Sequence, residues 1–452
     1  MFLLNILRPA PDSKARVPEG KIKKVFHMRQ AGVFVATCGG YIGYYIARLA
    51  FTIEQQDIMK AYGLNVADIG FILAVFGISY GLSKFIMGVL SDKSNPRFYI
   101  ALGLILSAFI NVLLGSTGDK WIMMILMALM AVTQGMGAPA CQKCIQVWWG
   151  RRNRGTFFSI WSSAHNLGAF CATEVALLAS YIFVGSTHAA SDVFYLSAVF
   201  SVIIAVIVII VGADRPVTVG LPSIQEFTGE KVADSEGEIV SDDEGKNLTI
   251  IQIFVKYILK SRAVWYLSIA SGSLYLVRMG IMQWIPTYLP ASKGFGVDEA
   301  KFYLGLFELA AVPGVILLGF LSDKLTKGRR TPVALVTVFV LFGSLFIYWA
   351  SDSKAMITAA LLVMGSLIYA PLTLIGLMIN ESVPKFAVGS STGFMGFWQY
   401  IYGTTLASAV MGILAQSFGW TAGFIMLGIG GILTLICLFL TYRLEKKEFE
   451  VA

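Results

Sequence analysis

Apolar segments of about 20 residues recur along the whole sequence, and they constrain the fold more than any other feature. A helix of that length crosses a hydrocarbon layer roughly 30 Å thick. Of the 452 residues, 56% are hydrophobic and only 14% are charged, with a mean hydropathy of +0.72. Soluble domains carry about 25% charged residues. The sequence therefore predicts an all-α polytopic membrane protein with no sizeable soluble domain.

The apolar segments fall into two sets of six, which predicts twelve transmembrane helices. Their expected ranges are 31–53, 66–90, 98–117, 121–148, 155–184 and 193–212, then 263–289, 302–322, 331–350, 355–380, 387–416 and 420–442. Residues 213–249 separate the sets and carry nine acidic and three basic residues. This composition is typical of a solvated linker. We expect a six-helix bundle over 1–212, an acidic cytoplasmic linker over 213–249 and a second six-helix bundle over 250–452.

The two halves repeat each other at a nearly constant offset. Tyr45-x-x-Arg48 recurs as Tyr275-x-x-Arg278 at an offset of 230, and the sequence GVLSDK, residues 88–93, recurs as GFLSDK at an offset of 231. Such a repeat predicts two pseudo-symmetric bundles with a substrate site between them, near the middle of the membrane.

Basic residues are concentrated in alternate connections, which predicts the orientation. DKSNPR (92–97), GRRNR (150–154) and DKLTKGRR (323–330) are basic, whereas the connections between them are neutral or nearly so. The formal charge of +8 therefore reports orientation, and we expect no nucleic acid partner. The N-terminus lacks a signal-peptide pattern. We expect a multi-pass protein of the inner (plasma) membrane with both termini in the cytoplasm.

The cysteine pattern gives little support to redox or metal chemistry. The spacing Cys141-Gln-Lys-Cys144 matches a redox or metal half-site, but it has no second pair and lies within an apolar segment. We expect these cysteines to be packing residues, and we expect no metal and no cofactor. No nucleophile, base and metal cluster can be assembled from the sequence, so an enzyme is disfavoured.

Two arginines lie at equivalent positions of the repeat, deep in apolar segments. Placing such a charge in a membrane helix costs at least about 2.5 kcal/mol, and intramembrane charges commonly mark transport pathways. Arginine also binds phosphate or carboxylate through two parallel hydrogen bonds. Arg48 and Arg278 are therefore predicted to bind an anionic substrate. The alternative is a local ion pair or contact with the interface, for which Glu54 is close enough to Arg48 in sequence.

Few other polar residues are predicted at membrane depth. Lys84 and His165 are further candidates for substrate binding, and histidine can change its charge near neutral pH. Glu308 is expected to balance charge, either beside His165 or beside an arginine of the empty site. Tyrosine hydroxyls are expected to donate to the substrate, although tyrosine also favours membrane interfaces; the candidates are Tyr41, Tyr45, Tyr80, Tyr275, Tyr369 and Tyr400.

Four charged residues at the predicted cytoplasmic helix ends have a different expected role. Asp92, Lys93, Asp323 and Lys324 belong to the repeated GVLSDK and GFLSDK motifs. Ion pairs and helix-end contacts of such residues can close one side of a transporter and break when it opens. We expect them to act in gating.

Several of these motifs resemble those of a known family. GVLSDK and GFLSDK are similar to the signature of the major facilitator superfamily. A longer set resembles the bacterial organophosphate:phosphate antiporters nearly end to end: YYIAR, SYGLSKFIMGVLSDKSNPR, QGMGAPAC, RRNRGTFFSIWSSAHNLG, VTVGLP, SLYLVRMGIMQWIPTY and GSLIYAPLTLIG.

The resemblance implies the major facilitator fold and a secondary active antiporter. Such a protein imports a small phosphorylated metabolite in exchange for inorganic phosphate, through a rocker-switch motion of its two halves. The paired arginines of the family match Arg48 and Arg278, and its site lysine, histidine and tyrosines match the candidates above. The partners implied are an organophosphate, inorganic phosphate and the lipid bilayer, and we expect a monomer.

Two departures from the family pattern bear on the substrate. In the glycerol-3-phosphate members of the family, a lysine usually follows the first arginine and an aspartate lies in the seventh helix. This chain has Leu49 and Gln283 at those positions. The joint loss of both charges indicates a lost ion pair. We expect a three-carbon substrate first, glycerol-3-phosphate or phosphoglycerate. The alternatives are a hexose-6-phosphate:phosphate antiporter and a transporter-like membrane sensor of sugar phosphates.

Overall fold

The computed structural model describes residues 7–92, 94–184, 189–228, 252, 254–325, 330–383 and 387–451, and every regular element in these ranges is helical. Contacts divide the chain into two compact units. The first unit lies within 1–63 and 82–232, and the second lies within 64–81 and 233–452. The all-α prediction is confirmed for the described residues.

The described residues of the first half of the chain form nine α-helices. They are α1 (Glu19–Ile53), α2 (Gln55–Tyr62), α3 (Val66–Asp92), α4 (Pro96–Gly115), α5 (Lys120–Gln134), α6 (Gly137–Trp148), α7 (Arg151–Ile182), α8 (Ala189–Val211) and α9 (Ile224–Thr228). Side-chain caps fix two of the starts. Asn95 accepts a hydrogen bond from the backbone of Arg97, and Asp119 accepts from Trp121 and Ile122. These polar caps end the connections and begin the next apolar helix.

The described residues of the second half form eight α-helices and three π-helical segments. The α-helices are α10 (Arg262–Met282), α11 (Ile285–Ser292), α12 (Val297–Leu325), α13 (Thr331–Ala350), α14 (Lys354–Glu381), α15 (Val388–Phe397), α16 (Met411–Phe418) and α17 (Trp420–Val451). The π-helical segments are Phe254–Leu259, Trp398–Thr404 and Leu406–Val410. The last two join α15 to α16, so that residues 388–418 follow one nearly continuous helical path.

Nine helical spans among the described residues are long and apolar enough to cross a membrane, and they match nine of the twelve predicted ranges. The other three predicted ranges coincide with α7, α10 and α12. Each of these helices carries a charged or titratable candidate, respectively His165, Arg278 and Glu308. The protein is therefore a multi-pass membrane protein, and the full count of twelve stays a prediction.

A stripe of glycines explains why the first half of α3 groups with the second unit. A Cβ added at Gly70 would lie 2.5 Å from the carbonyl oxygen of Ser408, and one at Gly77 would lie 2.6 Å from the side chain of Thr404. Gly81 similarly faces Tyr400. Spacings of seven and four residues place these glycines on one helix face, where small residues allow close packing. Residues 64–81 were predicted to belong with the N-terminal bundle, and the predicted boundary at 213–249 stays a prediction.

The start of the predicted linker is packed within the first unit. Asp214 is buried, and its Oδ2 accepts a hydrogen bond from the backbone N–H of Ala10 at 2.9 Å. Burial raises the pKa of this carboxyl. Farther on, the ring of Phe227 stacks on that of Phe26 with centroids 4.0 Å apart. Residues 213–228 thus differ from the solvated chain that was expected, because their apolar side chains cover α1; residues 229–249 lie outside the described ranges.

Candidate functional site

The first unit gathers an arginine, two tyrosines and a histidine at the contact of α1 and α7. The guanidinium carbon of Arg48 lies 5.3 Å from the ring centroid of Tyr45, one turn earlier on α1. The ring of Tyr45 lies 5.4 Å from that of Tyr41 and 5.7 Å from that of His165. All four side chains are partly exposed. The structure therefore brings together four of the predicted binding residues in this unit.

A glycine on α7 makes this contact possible. A Cβ added at Gly168 would lie 2.9 Å from both the Cα of Ile42 and the Cβ of Tyr45. The close approach puts His165, one turn away on α7, beside the α1 tyrosines. Nδ1 of His165 contacts the carbonyl oxygen of Ser162. Because a carbonyl only accepts, Nδ1 donates in that contact, and Nε2 is the nitrogen able to accept a proton or a hydrogen bond.

The second unit holds its arginine in a chain of hydrogen bonds. Arg278 is 6% exposed, and its Nη2 donates to the hydroxyl of Tyr369 at 2.7 Å. That hydroxyl donates in turn to Oε2 of Glu308 at 2.6 Å. Both bonds involve a charged group, which makes them stronger than neutral hydrogen bonds. Tyr369 therefore links the buried side chains of Arg278 and Glu308. The charge-balancing role of Glu308 stays a prediction.

Close packing of α12 against α14 positions this chain. A Cβ added at Gly365 would overlap the carbonyl oxygen of Phe307, and one at Gly314 would overlap that of Ser366. The two glycines let the backbones approach more closely than side chains would allow. Glu308 follows Phe307 on α12, and Tyr369 lies one turn after Gly365 on α14. Their short hydrogen bond is a consequence of this backbone contact.

Tyrosines extend the site from α10 to the π-helical segment Trp398–Thr404, called the π-helical segment below. The guanidinium carbon of Arg278 lies 5.1 Å from the ring centroid of Tyr275 and 4.3 Å from that of Tyr369. The hydroxyl of Tyr275 donates to that of Tyr400 at 3.3 Å, and the rings of Tyr80 and Tyr400 lie 5.3 Å apart. The second unit therefore collects Arg278 and four of the predicted tyrosines.

The predicted lysine of α3 and the four predicted gating residues remain to be considered. Lys84 is exposed on α3. Lys93 lies outside the described residues, and the side chains of Asp92, Asp323 and Lys324 are also outside the description. Their roles stay predictions.

The two departures from the family pattern are both buried. Leu49 is 2% exposed, and Gln283 is 5% exposed. Oε1 of Gln283 accepts a hydrogen bond from the hydroxyl of Ser408 at 2.8 Å. A neutral amide thus occupies this position with a neutral partner, which is consistent with the absence of a lysine after Arg48.

Sequence reasoning missed a second polar contact between α10 and the π-helical segment. Nε2 of Gln399 donates to the hydroxyl of Ser271 at 2.8 Å. Ser271 lies seven residues before Arg278 on α10, and Gln399 directly precedes Tyr400. The shared helix face with Arg278 is the signal that could have drawn attention to Ser271. No comparable signal marks Gln399.

The Cys141 and Cys144 pair is buried in the core of the first unit, and Sγ of Cys141 donates to the carbonyl oxygen of Thr37 at 3.5 Å. Among the described residues, no group of three or more histidine, cysteine, aspartate or glutamate side chains is arranged to hold a metal ion.

Comparisons with known proteins agree over nearly the whole chain. The profile of the Major Facilitator Superfamily matches residues 33–404. The glycerol-3-phosphate transporter of Bacillus subtilis (strain 168) is 35% identical, covering 99% of this chain and 100% of that protein. The phosphoglycerate transporter protein of Salmonella typhimurium is 34% identical, with 99% and 96% covered.

Two further matches extend the comparison. The hexose-6-phosphate:phosphate antiporter of Escherichia coli (strain K12) is 32% identical over 99% of this chain and 97% of that protein. The crystal structure of a bacterial homolog of the human lysosomal transporter Spinster shares the fold, with a TM-score of 0.71, 16% identity and coverage of 91% of this chain and 95% of that one. The chain belongs to the major facilitator superfamily, in the family of these organophosphate transporters, and is a transporter rather than an enzyme.

Proposed function

We propose that the protein is a secondary active antiporter that imports a small organophosphate in exchange for inorganic phosphate. Within this class we place three-carbon substrates, glycerol-3-phosphate or phosphoglycerate, ahead of hexose phosphates. The relatives that match over nearly their whole length are named as transporters of glycerol-3-phosphate, phosphoglycerate or hexose-6-phosphate. The hexose-6-phosphate relative is named as an antiporter with phosphate. These names support the substrate class.

One geometric observation carries the proposal. In each unit the site arginine lies over the ring of the tyrosine three residues earlier, at 5.3 Å for Arg48 with Tyr45 and at 5.1 Å for Arg278 with Tyr275. The sequence repeat is therefore repeated in side-chain geometry, on two helices that are 230 positions apart. Two similarly held guanidinium groups are suited to the shared oxygens of a phosphate dianion.

The proposed exchange follows from the charges. Two arginines without an anion repel each other, so a closed intermediate is favoured only when phosphate or an organophosphate is bound. Glu308 supplies a counter-charge to Arg278 through Tyr369 in the absence of substrate. An incoming phosphoryl group would compete for the guanidinium and for the tyrosine hydroxyl. The two halves then rock about the loaded site, and the empty carrier changes sides slowly.

The proposal includes placement in the bacterial inner membrane with both termini in the cytoplasm, as the basic connections predict. It also includes a monomeric transporter and gating by Asp92, Lys93, Asp323 and Lys324. Labelling a cysteine introduced at either terminus with a membrane-impermeant reagent would test the orientation.

Counterflow in proteoliposomes tests the function. Vesicles loaded with phosphate should take up labelled glycerol-3-phosphate or 3-phosphoglycerate, and vesicles without internal phosphate should not. Glucose-6-phosphate serves as the third substrate, because preference for it would favour the hexose-phosphate alternative. Binding of these compounds without counterflow of any of them would refute the antiporter and favour a sensor.

Conservative substitutions test the arginine pair. Arg48→Lys and Arg278→Lys should each lower exchange at least about 100-fold, since a lysine cannot make the bidentate contact. Arg262→Lys is the matched control, because Arg262 is exposed at the start of the same helix as Arg278. Equal membrane levels of all three variants exclude a folding defect. A normal rate in either site variant would show that its arginine is structural.

A further inference from the structure

Three hydrogen bonds are made from one face of α10. Ser271, Tyr275 and Arg278 are spaced by four and three residues, which places them on a single stripe of the helix. Their partners are Gln399, Tyr400 and Tyr369 respectively. The stripe thus continues from the buried arginine to a neutral amide, which is half-buried.

Backbone contacts fix the neutral end of the stripe. A Cβ added at Gly403 would lie 2.5 Å from the carbonyl oxygen of Gly272, so the π-helical segment lies directly against α10. The hydroxyl of Thr404 donates to the carbonyl oxygen of Gln399 at 3.2 Å, and that of Thr405 donates to the carbonyl oxygen of Tyr400 at 3.4 Å. These bonds reach back five residues and support the wider π turn. π-Helical turns within α-helices often mark functional sites.

The Ser271 bond orients the amide of Gln399. Because Nε2 donates to the serine hydroxyl, the second N–H and the carbonyl Oε1 remain as the donor and acceptor of the same amide. Seven residues of helix separate Ser271 from Arg278 by about 10 Å along the axis. A phosphoryl group held by the arginine would therefore direct the other end of an organophosphate along the stripe toward the amide.

We propose that Gln399, positioned by Ser271, binds the hydroxyl groups of the organophosphate and selects polyol phosphates over phosphoglycerates. An amide both donates and accepts, as a substrate hydroxyl does, and it brings no positive charge. A carboxylate at the same place would lose part of its water, and the described contacts of Gln399 include no cation to replace it. This inference rests on the proposed antiport function and adds the substrate class to it.

Competition against phosphate exchange tests the inference. Phosphate-loaded proteoliposomes take up labelled phosphate, and unlabelled glycerol-3-phosphate or 3-phosphoglycerate competes. The measured quantity is the ratio of their half-inhibitory concentrations. For Gln399→Ala, glycerol-3-phosphate should weaken about 5-fold relative to 3-phosphoglycerate, the typical effect of one lost hydrogen bond. Ser271→Ala should change the ratio in the same direction by a smaller factor.

The double variant and a matched glutamine separate specificity from structure. Gln399→Ala with Ser271→Ala should give the ratio of Gln399→Ala alone, because both act through one amide. Gln416→Ala should keep the ratio of the native protein, since Gln416 is exposed near the end of the same helical path. If Gln399→Ala fails to reach the membrane, the milder Ser271→Ala variant decides.

Two results would overturn the inference. One is an equal weakening of both competitors, which would make the Ser271 and Gln399 contact purely structural. The other is a selective loss of 3-phosphoglycerate, which would assign the amide to a carboxylate. Failure of the antiport function itself would look different, because the native protein would then show no phosphate exchange.

Discussion

Removing the hydroxyl of Tyr369 should break the chain of hydrogen bonds that runs from Arg278 to Glu308. The Tyr369→Phe substitution keeps the ring, whose centroid lies 4.3 Å from the guanidinium carbon, and deletes the bonds of 2.7 Å and 2.6 Å. A hydrogen bond to a charged group contributes roughly 1.5 to 3 kcal/mol. Arg278 and Glu308 keep their other contacts in the variant, so the substitution should cost about as much as one such bond. We expect exchange to fall roughly 10- to 100-fold.

Tyr348 provides the matched control for that experiment. It is also a buried tyrosine of the second unit, with 1% exposure, but its hydroxyl has no hydrogen-bond partner among the described residues. Tyr348→Phe should therefore leave exchange unchanged and should keep or slightly raise the melting temperature.

Two assays report on the pair of variants. Counterflow of labelled phosphate gives the rate, and thermal melting of the purified protein with and without phosphate gives the coupling to the ligand. Tyr369→Phe should lose most of the stabilisation that phosphate confers, while Tyr348→Phe should keep it. Native exchange in Tyr369→Phe would refute the argument. So would equal losses in both variants, because they would trace the effect to packing rather than to charge.

Two further predictions concern packing and pH. Gly403→Ala should lower melting temperature and exchange together, because the new Cβ would lie 2.5 Å from a backbone oxygen; Gly343→Ala, with nothing within 4 Å in the interior of a helix, should be neutral or stabilising by up to about 1 kcal/mol. Equal behaviour of the two variants in thermal melting would contradict this. Lys354 donates to Glu299 at 2.8 Å and so lowers the pKa of that carboxyl. A carboxyl with a lowered pKa stabilises the folded protein at pH values above its ordinary pKa of about 4.3. This stabilisation is lost as the pH falls through the lowered pKa. Glu299→Gln should thus melt below the native protein at pH 7 but not at pH 3, and a constant difference would refute the pair.

Residues close together in sequence were predicted more completely than contacts across the chain. The Tyr45 and Arg48 contact, and its repeat at Tyr275 and Arg278, follow from a spacing of three on a helix. The bond between Tyr369 and Glu308 joins residues 61 positions apart, and that between Gln399 and Ser271 joins residues 128 positions apart. Sequence periodicity says which helix face is polar but not which helix meets it.

The packing of α3 shows the same limit. Gly70 and Gly77 mark a face suited to close contact, yet nothing local names Ser408 or Thr404 as the partner backbone. The start of the predicted linker was assigned from its composition, which is acidic, although Phe227 stacks on Phe26. Composition averages over a segment, whereas burial depends on which apolar side chains find a neighbour.

The sequence by itself determined the membrane-spanning helices, the repeat and the pair of arginines at its equivalent positions. Hydrophobicity and helical spacing are local properties, and the cost of a charge in hydrocarbon makes each intramembrane arginine conspicuous. Only the tertiary structure decided that Arg278 is hydrogen-bonded through Tyr369 to Glu308. It also decided that the amide of Gln399 contacts Ser271 on the same face of α10. Those contacts depend on where glycines let backbones meet, and the resulting distances arise only when distant helices pack.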